Sequence, residues 1–132
     1  MQEAWFFYAA SHIQAGQAAL LAGKSEEALS SFQESARLDQ YNLAAFGGIA
    51  ESLSRLGRGK ESQQTYAHLF YLTGAKAGDL GSLGGQLFSH GWYHVALTLW
   101  EEAEKADPMD AIWPANQAAA LKMLGRSAQA RV

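Results

Sequence analysis

Small and apolar positions return along this chain at one fixed interval, the spacing from Gly23 to Gly57. Gly23, Gly57, Gly91 and Gly125 share one phase. Ala28, Ser62, Ala96 and Ala130 are small in a second, and Gly16, Ala50, Gly84 and Ala118 are small in a third. Ala19, Leu53, Leu87 and Leu121 are apolar in a fourth, and Phe32, Tyr66 and Trp100 are aromatic in a fifth. Glycine makes up 13 of the 132 residues. Four in one phase by accident has a likelihood of roughly one in ten thousand for any given phase.

The spacing predicts paired helices. Small residues fit where two helices cross closely, because a larger side chain would push the backbones apart. An aromatic at a fixed offset fills the space between one hairpin and the next. Glycine ends a first helix in a positive-φ conformation. The segments Gly23-Lys24-Ser25, Gly57-Arg58-Gly59, Gly91-Trp92-Tyr93 and Gly125-Arg126-Ser127 are therefore expected turns between helices. Leu38-Asp39-Gln40 and Ala106-Asp107-Pro108 close second helices, since Pro108 cannot continue one. In the second unit Thr73-Gly74 stands at the corresponding place, so its second helix is expected to end irregularly near Gly74.

This pattern resembles the tetratricopeptide repeat, a helical hairpin of about 34 residues with small, small, aromatic and Asp-Pro signatures at these offsets. The third unit matches best, from Leu83-Gly84 through Gly91-Trp92-Tyr93, Ala96, Trp100 and Ala103 to Asp107-Pro108. The resemblance implies an all-α, right-handed superhelical solenoid of antiparallel helix pairs, about seven helices in one domain. Its units fall at 9–42, 43–76 and 77–110, with a partial repeat at 111–132 and a helical extension at 1–8. The fourth unit is read as a first helix at about 112–124 and the stub of its partner.

In such arrays the first helices of successive units line a concave face, which is the usual ligand site. The resemblance projects a polypeptide-binding groove onto Ile13, Gln14, Gln17, Leu20 and Leu21, then Gly47, Gly48, Glu51 and Arg55. It continues through Gly81, Ser82, Gly85, Phe88 and Asn116. Glycines interior to these helices each cost roughly 1 kcal/mol relative to alanine. Gly47, Gly48, Gly78, Gly81 and Gly85 are accordingly expected to form a bare floor that another backbone can approach closely. Leu20, Leu21 and Phe88 are expected as apolar anchors, with Glu51, Arg55 and Asn116 as polar contacts.

Composition narrows the choice of partner. The formal charge is −3, and the ten Lys and Arg are scattered. No basic stripe exists to follow a phosphate backbone, so nucleic acid is not an expected partner. There are no cysteines, which removes disulfides and thiolate metal sites and agrees with a cytoplasmic setting. Met1–Tyr8 is apolar but lacks the Lys or Arg of a signal peptide, and no apolar run is long enough for membrane insertion. His90 and His94 have the spacing of two ligands on one helix, but Gly91 puts a turn between them, so no metal is expected. No catalytic triad, paired carboxylate or phosphate loop is present, and neither enzyme activity nor a cofactor is expected.

The expectation is a non-catalytic protein–protein interaction module, a scaffold or assembly adaptor with a protein or peptide partner. Arrays that grip acidic chaperone tails use Lys and Asn pairs facing the groove. Here Ile13, Gln17, Gly78 and Ser82 stand instead. A narrower resemblance is to the class II chaperones of type III secretion. It rests on Leu38-Asp39-Gln40-Tyr41-Asn42, Phe46-Gly47-Gly48-Ile49-Ala50, and Trp113-Pro114 with Gln117-Ala118-Ala119. A third alternative is the non-catalytic arm of a larger enzyme. The aromatic run Trp5, Phe6, Phe7 and Tyr8 suggests either a homodimer packed through it or a neighbour in a longer parent chain.

Overall fold

In a computed structural model, which describes residues 2–130 and the side chains of 8–126, the chain is all α-helical. The helices are α1 (Gln2–Leu21), α2 (Ser25–Leu38), α3 (Leu43–Arg55), α4 (Gly59–Thr73), α5 (Ala77–Ser89), α6 (Tyr93–Ala106) and α7 (Ile112–Ala130). They group into two compact units, Met1–Leu72 and Thr73–Val132.

One turn is built three times, at the interval of the sequence repeat. Gly23 N–H donates to the Leu20 carbonyl and Lys24 N–H to that of Ala19. Gly57 and Arg58 do the same to Ser54 and Leu53, and Gly91 and Trp92 to Phe88 and Leu87. This is the Schellman arrangement, which satisfies carbonyls left open by the last turn of a helix. It requires a left-handed residue, and φ is +77° at Gly23, +73° at Gly57 and +86° at Gly91. Gly125 breaks the series. α7 runs through it to Ala130, and the turn expected at Gly125-Arg126-Ser127 is not made. Among the described residues no second helix folds back on α7, so a turn there would gain no packing to offset the broken helix. Ala118 and Leu121, in register with core positions elsewhere, are accordingly exposed.

In the N-terminal unit α1 packs against α2 and α3. Phe32 of α2 is fully buried, and its ring lies against two glycines. A Cβ on Gly16 would approach the ring to 2.6 Å and one on Gly48 to 2.5 Å. Buried Ser35 donates to the Ala9 carbonyl at 2.8 Å, tying α2 to α1. The Asn42 side chain caps α3 by accepting from Ala45 N–H at 3.2 Å. α3 and α4 meet through Ser54 and Tyr66 (3.3 Å) and through the rings of Phe46 and His68 (centroids 4.6 Å apart). Ser62, in a phase held elsewhere by alanine, satisfies its hydroxyl by donating to the Gly59 carbonyl. Arg58 binds Glu61 through two hydrogen bonds. Its guanidinium holds the Glu61 carboxyl below the usual carboxylate range.

α4 stops at Thr73, and the turn that follows has φ +65° at Gly74 and +52° at Ala75. The irregular ending expected near Gly74 is thus a turn of two left-handed residues, one of them unfavourable for a residue with a Cβ.

In the C-terminal unit α6 packs between α5 and α7. Trp100 repeats the role of Phe32: a Cβ on Gly84 would lie 2.5 Å from its Nε1, and that N–H donates to the Gly81 carbonyl at 3.2 Å. Trp92, at the N-cap of α6, and Val95, Ala96, Leu99 and Ala103 within it complete this core. Gln117 of α7 donates to the Trp100 carbonyl and to Glu104.

Candidate polypeptide-binding face

The first helix of a hairpin has one side committed to its partner helix and another left free. In the N-terminal unit, α1 turns Gln14 and Leu21 outward, and Leu21 is 85% exposed. Ile13 and Gln17, one helical turn apart, are half-buried. Between Tyr8 and Leu21 the helix has no lysine or arginine.

On α3 the expected groove residues are enclosed. Gly47 is buried, and Gly48 lies under Phe32. Glu51 is fully buried, and its carboxylate accepts from Arg55 Nε at 2.9 Å. Arg55 also donates from Nη1 to the Leu20 carbonyl at 3.1 Å. The guanidinium therefore joins the last turn of α1 to α3, where a cation also meets the negative end of the α1 dipole.

In the C-terminal unit, three nearby glycines of α5 have three different surroundings. Gly84 lies under Trp100. Gly81 lies under Trp113 of α7, whose ring a Cβ would meet at 2.5 Å. Gly85 is exposed, and a Cβ there would meet nothing within 4 Å. Ser82, one turn before it, is also exposed, and Asn116 of α7 is half-buried. Gly85→Ala is expected to raise stability by roughly 1 kcal/mol, whereas Gly81→Ala and Gly84→Ala should lower it by about 1–3 kcal/mol through overpacking. Urea denaturation of the three variants tests this opposition of sign.

No protein-family model and no curated protein matches the sequence. Solved structures do. The first TPR domain of human RPAP3 aligns over 92% of this chain and 96% of its own, at 16% identity and a TM-score of 0.57. PcrH in complex with the chaperone-binding region of PopD aligns over 92% of both chains, at 20% identity and 0.55. The first TPR of Spaghetti (RPAP3) bound to the HSP90 peptide SRMEEVD aligns over 89% and 94%, at 16% and 0.57. The fold is of the tetratricopeptide type.

The tetratricopeptide register explains which expected groove residues are displaced from that role. Gly48 and Gly81 are not bare floor: each is small because an aromatic ring lies on it. Leu20 is 4% exposed and belongs to the core. Phe88 is half-buried, with its ring centroid 5.0 Å from Tyr93 and 5.5 Å from Trp100, so it packs within its own hairpin. Glu51 and Arg55 bond to each other and to α1 and so do not present themselves as polar contacts. Ile13, Gln14, Gln17, Leu21, Ser82, Gly85 and Asn116 remain on the surface of their units. The covering role of Trp113 is not evident from the repeat register, although a lone tryptophan near the start of the last helix is a visible signal. The dimer expected through Trp5, Phe6 and Phe7 falls on side chains outside the described residues. His90 ends α5 with its ring 5.2 Å from that of Trp92, and His94 lies in α6 beyond the turn. No helix among the described residues is long and apolar enough to cross a membrane.

Proposed function

We propose that this tetratricopeptide chain is a non-catalytic adaptor that holds an extended polypeptide segment on the free faces of its first helices. Within the N-terminal unit such a segment would meet Gln14, Gln17 and Leu21 of α1, and within the C-terminal unit one would meet Ser82 and Gly85 of α5. The observation that carries this reading is Gly85. A mid-helix glycine with nothing above it sacrifices helix stability without gaining packing. What it leaves is bare backbone, against which another main chain can lie closely. Two of the structural neighbours hold a peptide or a protein segment, which agrees with this use of the fold.

The test is Gly85→Leu. The site has open space, so the variant should keep its helical circular dichroism and melt no lower than the parent. Quantitative affinity capture should then recover the parent's partner at least tenfold less efficiently with the variant. Undiminished recovery by a folded variant would remove this face from the interaction.

Charge decides the class of segment. The described part of α1 and all of α5 lack Lys and Arg, and Arg55 is engaged by Glu51 and the Leu20 carbonyl. On these two helices a peptide as acidic as SRMEEVD would lose hydration of its carboxylates and gain no cation in return. It is expected to show no saturable binding by titration calorimetry. A neutral or apolar segment fits better, which also keeps open the holding of a secreted protein's segment as a second form of the same activity.

A further inference from the structure

Leu53 and Leu87 are 3% and 0% exposed, whereas Leu121, at the same phase of the repeat, is 56% exposed on α7. Gly16 and Gly84 lie under the rings of Phe32 and Trp100, each carried by an antiparallel second helix. Ala118, in their phase, is exposed. Together with Ala111, Pro114 and Gly125, all exposed, these two residues form a seam spaced alternately by three and four. That is the spacing with which one helix seats against another. Helical geometry sets the seam on the side of α7 away from Trp113 and Asn116. It is therefore separate from the polypeptide-binding face, and its use does not rest on that reading.

Charge identifies the helix that fits. Asp110 is exposed at the start of α7, where its carboxylate accepts from Ile112 N–H. Lys122 and Arg126 are exposed toward the other end. Among the described residues none of the three makes an ion pair; Arg126 contacts only the Met123 sulfur. A uniformly basic helix laid on the seam would meet Lys122 and Arg126, and a uniformly acidic one would meet Asp110. A helix with one acidic and one basic end, running antiparallel, satisfies both. α7 is itself such a helix. Turned about a two-fold axis at Ala118, it brings each Arg126 close to Asp110 of the other copy. Leu121 then falls between Pro114 and Ala115 of the other copy, and the small residues at the axis let the two backbones approach closely. The helix dipoles oppose as well, which favours the same direction.

We infer that this face of α7 is a self-association surface, through which two copies of the chain pair antiparallel. Ala118 and Leu121 form its centre, and Arg126 of each copy pairs with Asp110 of the other. A seam of about four helical turns buries less than the roughly 800 Å² per partner of a standard interface. The pair is accordingly weak and reversible.

Sedimentation equilibrium of the intact chain at low salt is the test. A monomer–dimer equilibrium is expected, with half-dissociation at roughly 10–100 µM. Leu121→Glu, at an exposed position, should keep the helical circular dichroism and raise the dissociation constant about tenfold or more. Arg126→Asp and Asp110→Arg should each weaken self-association severalfold, because each sets like charges against one another at both ends. Mixed in equal amounts, those two variants should form a heterodimer at least as tight as the parent pair. A chain that stays monomeric at several hundred micromolar would overturn the inference. So would a dimer unaffected by Leu121→Glu, one lost instead on replacing Trp5 and Phe6 by serine, or two charge variants that fail to associate when mixed.

Discussion

Replacing Phe32 by alanine is expected to lower the stability of the N-terminal unit by about 3–5 kcal/mol. The ring is fully buried and has a glycine of α1 on one side and a glycine of α3 on the other. Those glycines have no side chains with which to close the space, so the site cannot collapse and the penalty falls toward the upper end. A loss of that size is a large part of the roughly 5–15 kcal/mol that holds a typical domain together. Gly16→Ala or Gly48→Ala made in the parent should destabilise through overpacking. Made in the Phe32→Ala background, either should recover stability by refilling the void. Guanidinium denaturation of the single and double variants checks this reversal, and additive losses would contradict it.

Replacing Arg55 by alanine is the second large effect, with an expected loss of about 3–5 kcal/mol. It takes the Arg55 guanidinium away from the fully buried Glu51 carboxylate and removes the bond from Nη1 to the Leu20 carbonyl. The reverse change, Glu51→Leu, should do less damage. It removes the group whose desolvation is the more expensive, and the Arg55 side chain, 21% exposed, still reaches water and the Leu20 carbonyl. Thermal unfolding should therefore rank parent, Glu51→Leu and Arg55→Ala in falling order. If Arg55→Ala cost less than Glu51→Leu, the pair would have no stabilising role.

The helical hairpins were legible in the sequence because each repeated residue type meets a local requirement. Gly23, Gly57 and Gly91 supply the positive φ of a Schellman turn, and that demand depends on a few neighbouring residues. Gly16 with Phe32 and Gly84 with Trp100 stand at the same separation because antiparallel partners joined by the same turn bring those positions together. The candidate face was less legible, for one physical reason. A helical glycine looks the same in sequence whether a ligand or a ring of the chain itself lies on it. Gly48 and Gly81 read as floor in the sequence, yet Phe32 and Trp113 cover them; Gly85 has no such ring. Spacing held part of the answer, since Gly48 follows Phe32 by the interval at which Gly16 precedes it. Burial of Glu51 could not be read at all, because Arg55 one turn later is equally typical of a solvated helix face. Gly125 shows the limit of the register itself. A turn residue turns the chain only when a second helix repays the broken hydrogen bonds, and among the described residues α7 has none.

The most direct test of polypeptide binding on the first-helix faces is hydrogen exchange of the chain with its captured partner bound, compared with the chain alone. Slowed exchange is predicted for α1 around Gln14–Leu21 and for α5 around Ser82–Gly85, where exposed helical backbone becomes covered. Unchanged exchange in both segments, with protection appearing only on α2, α4 or α6, would contradict the account.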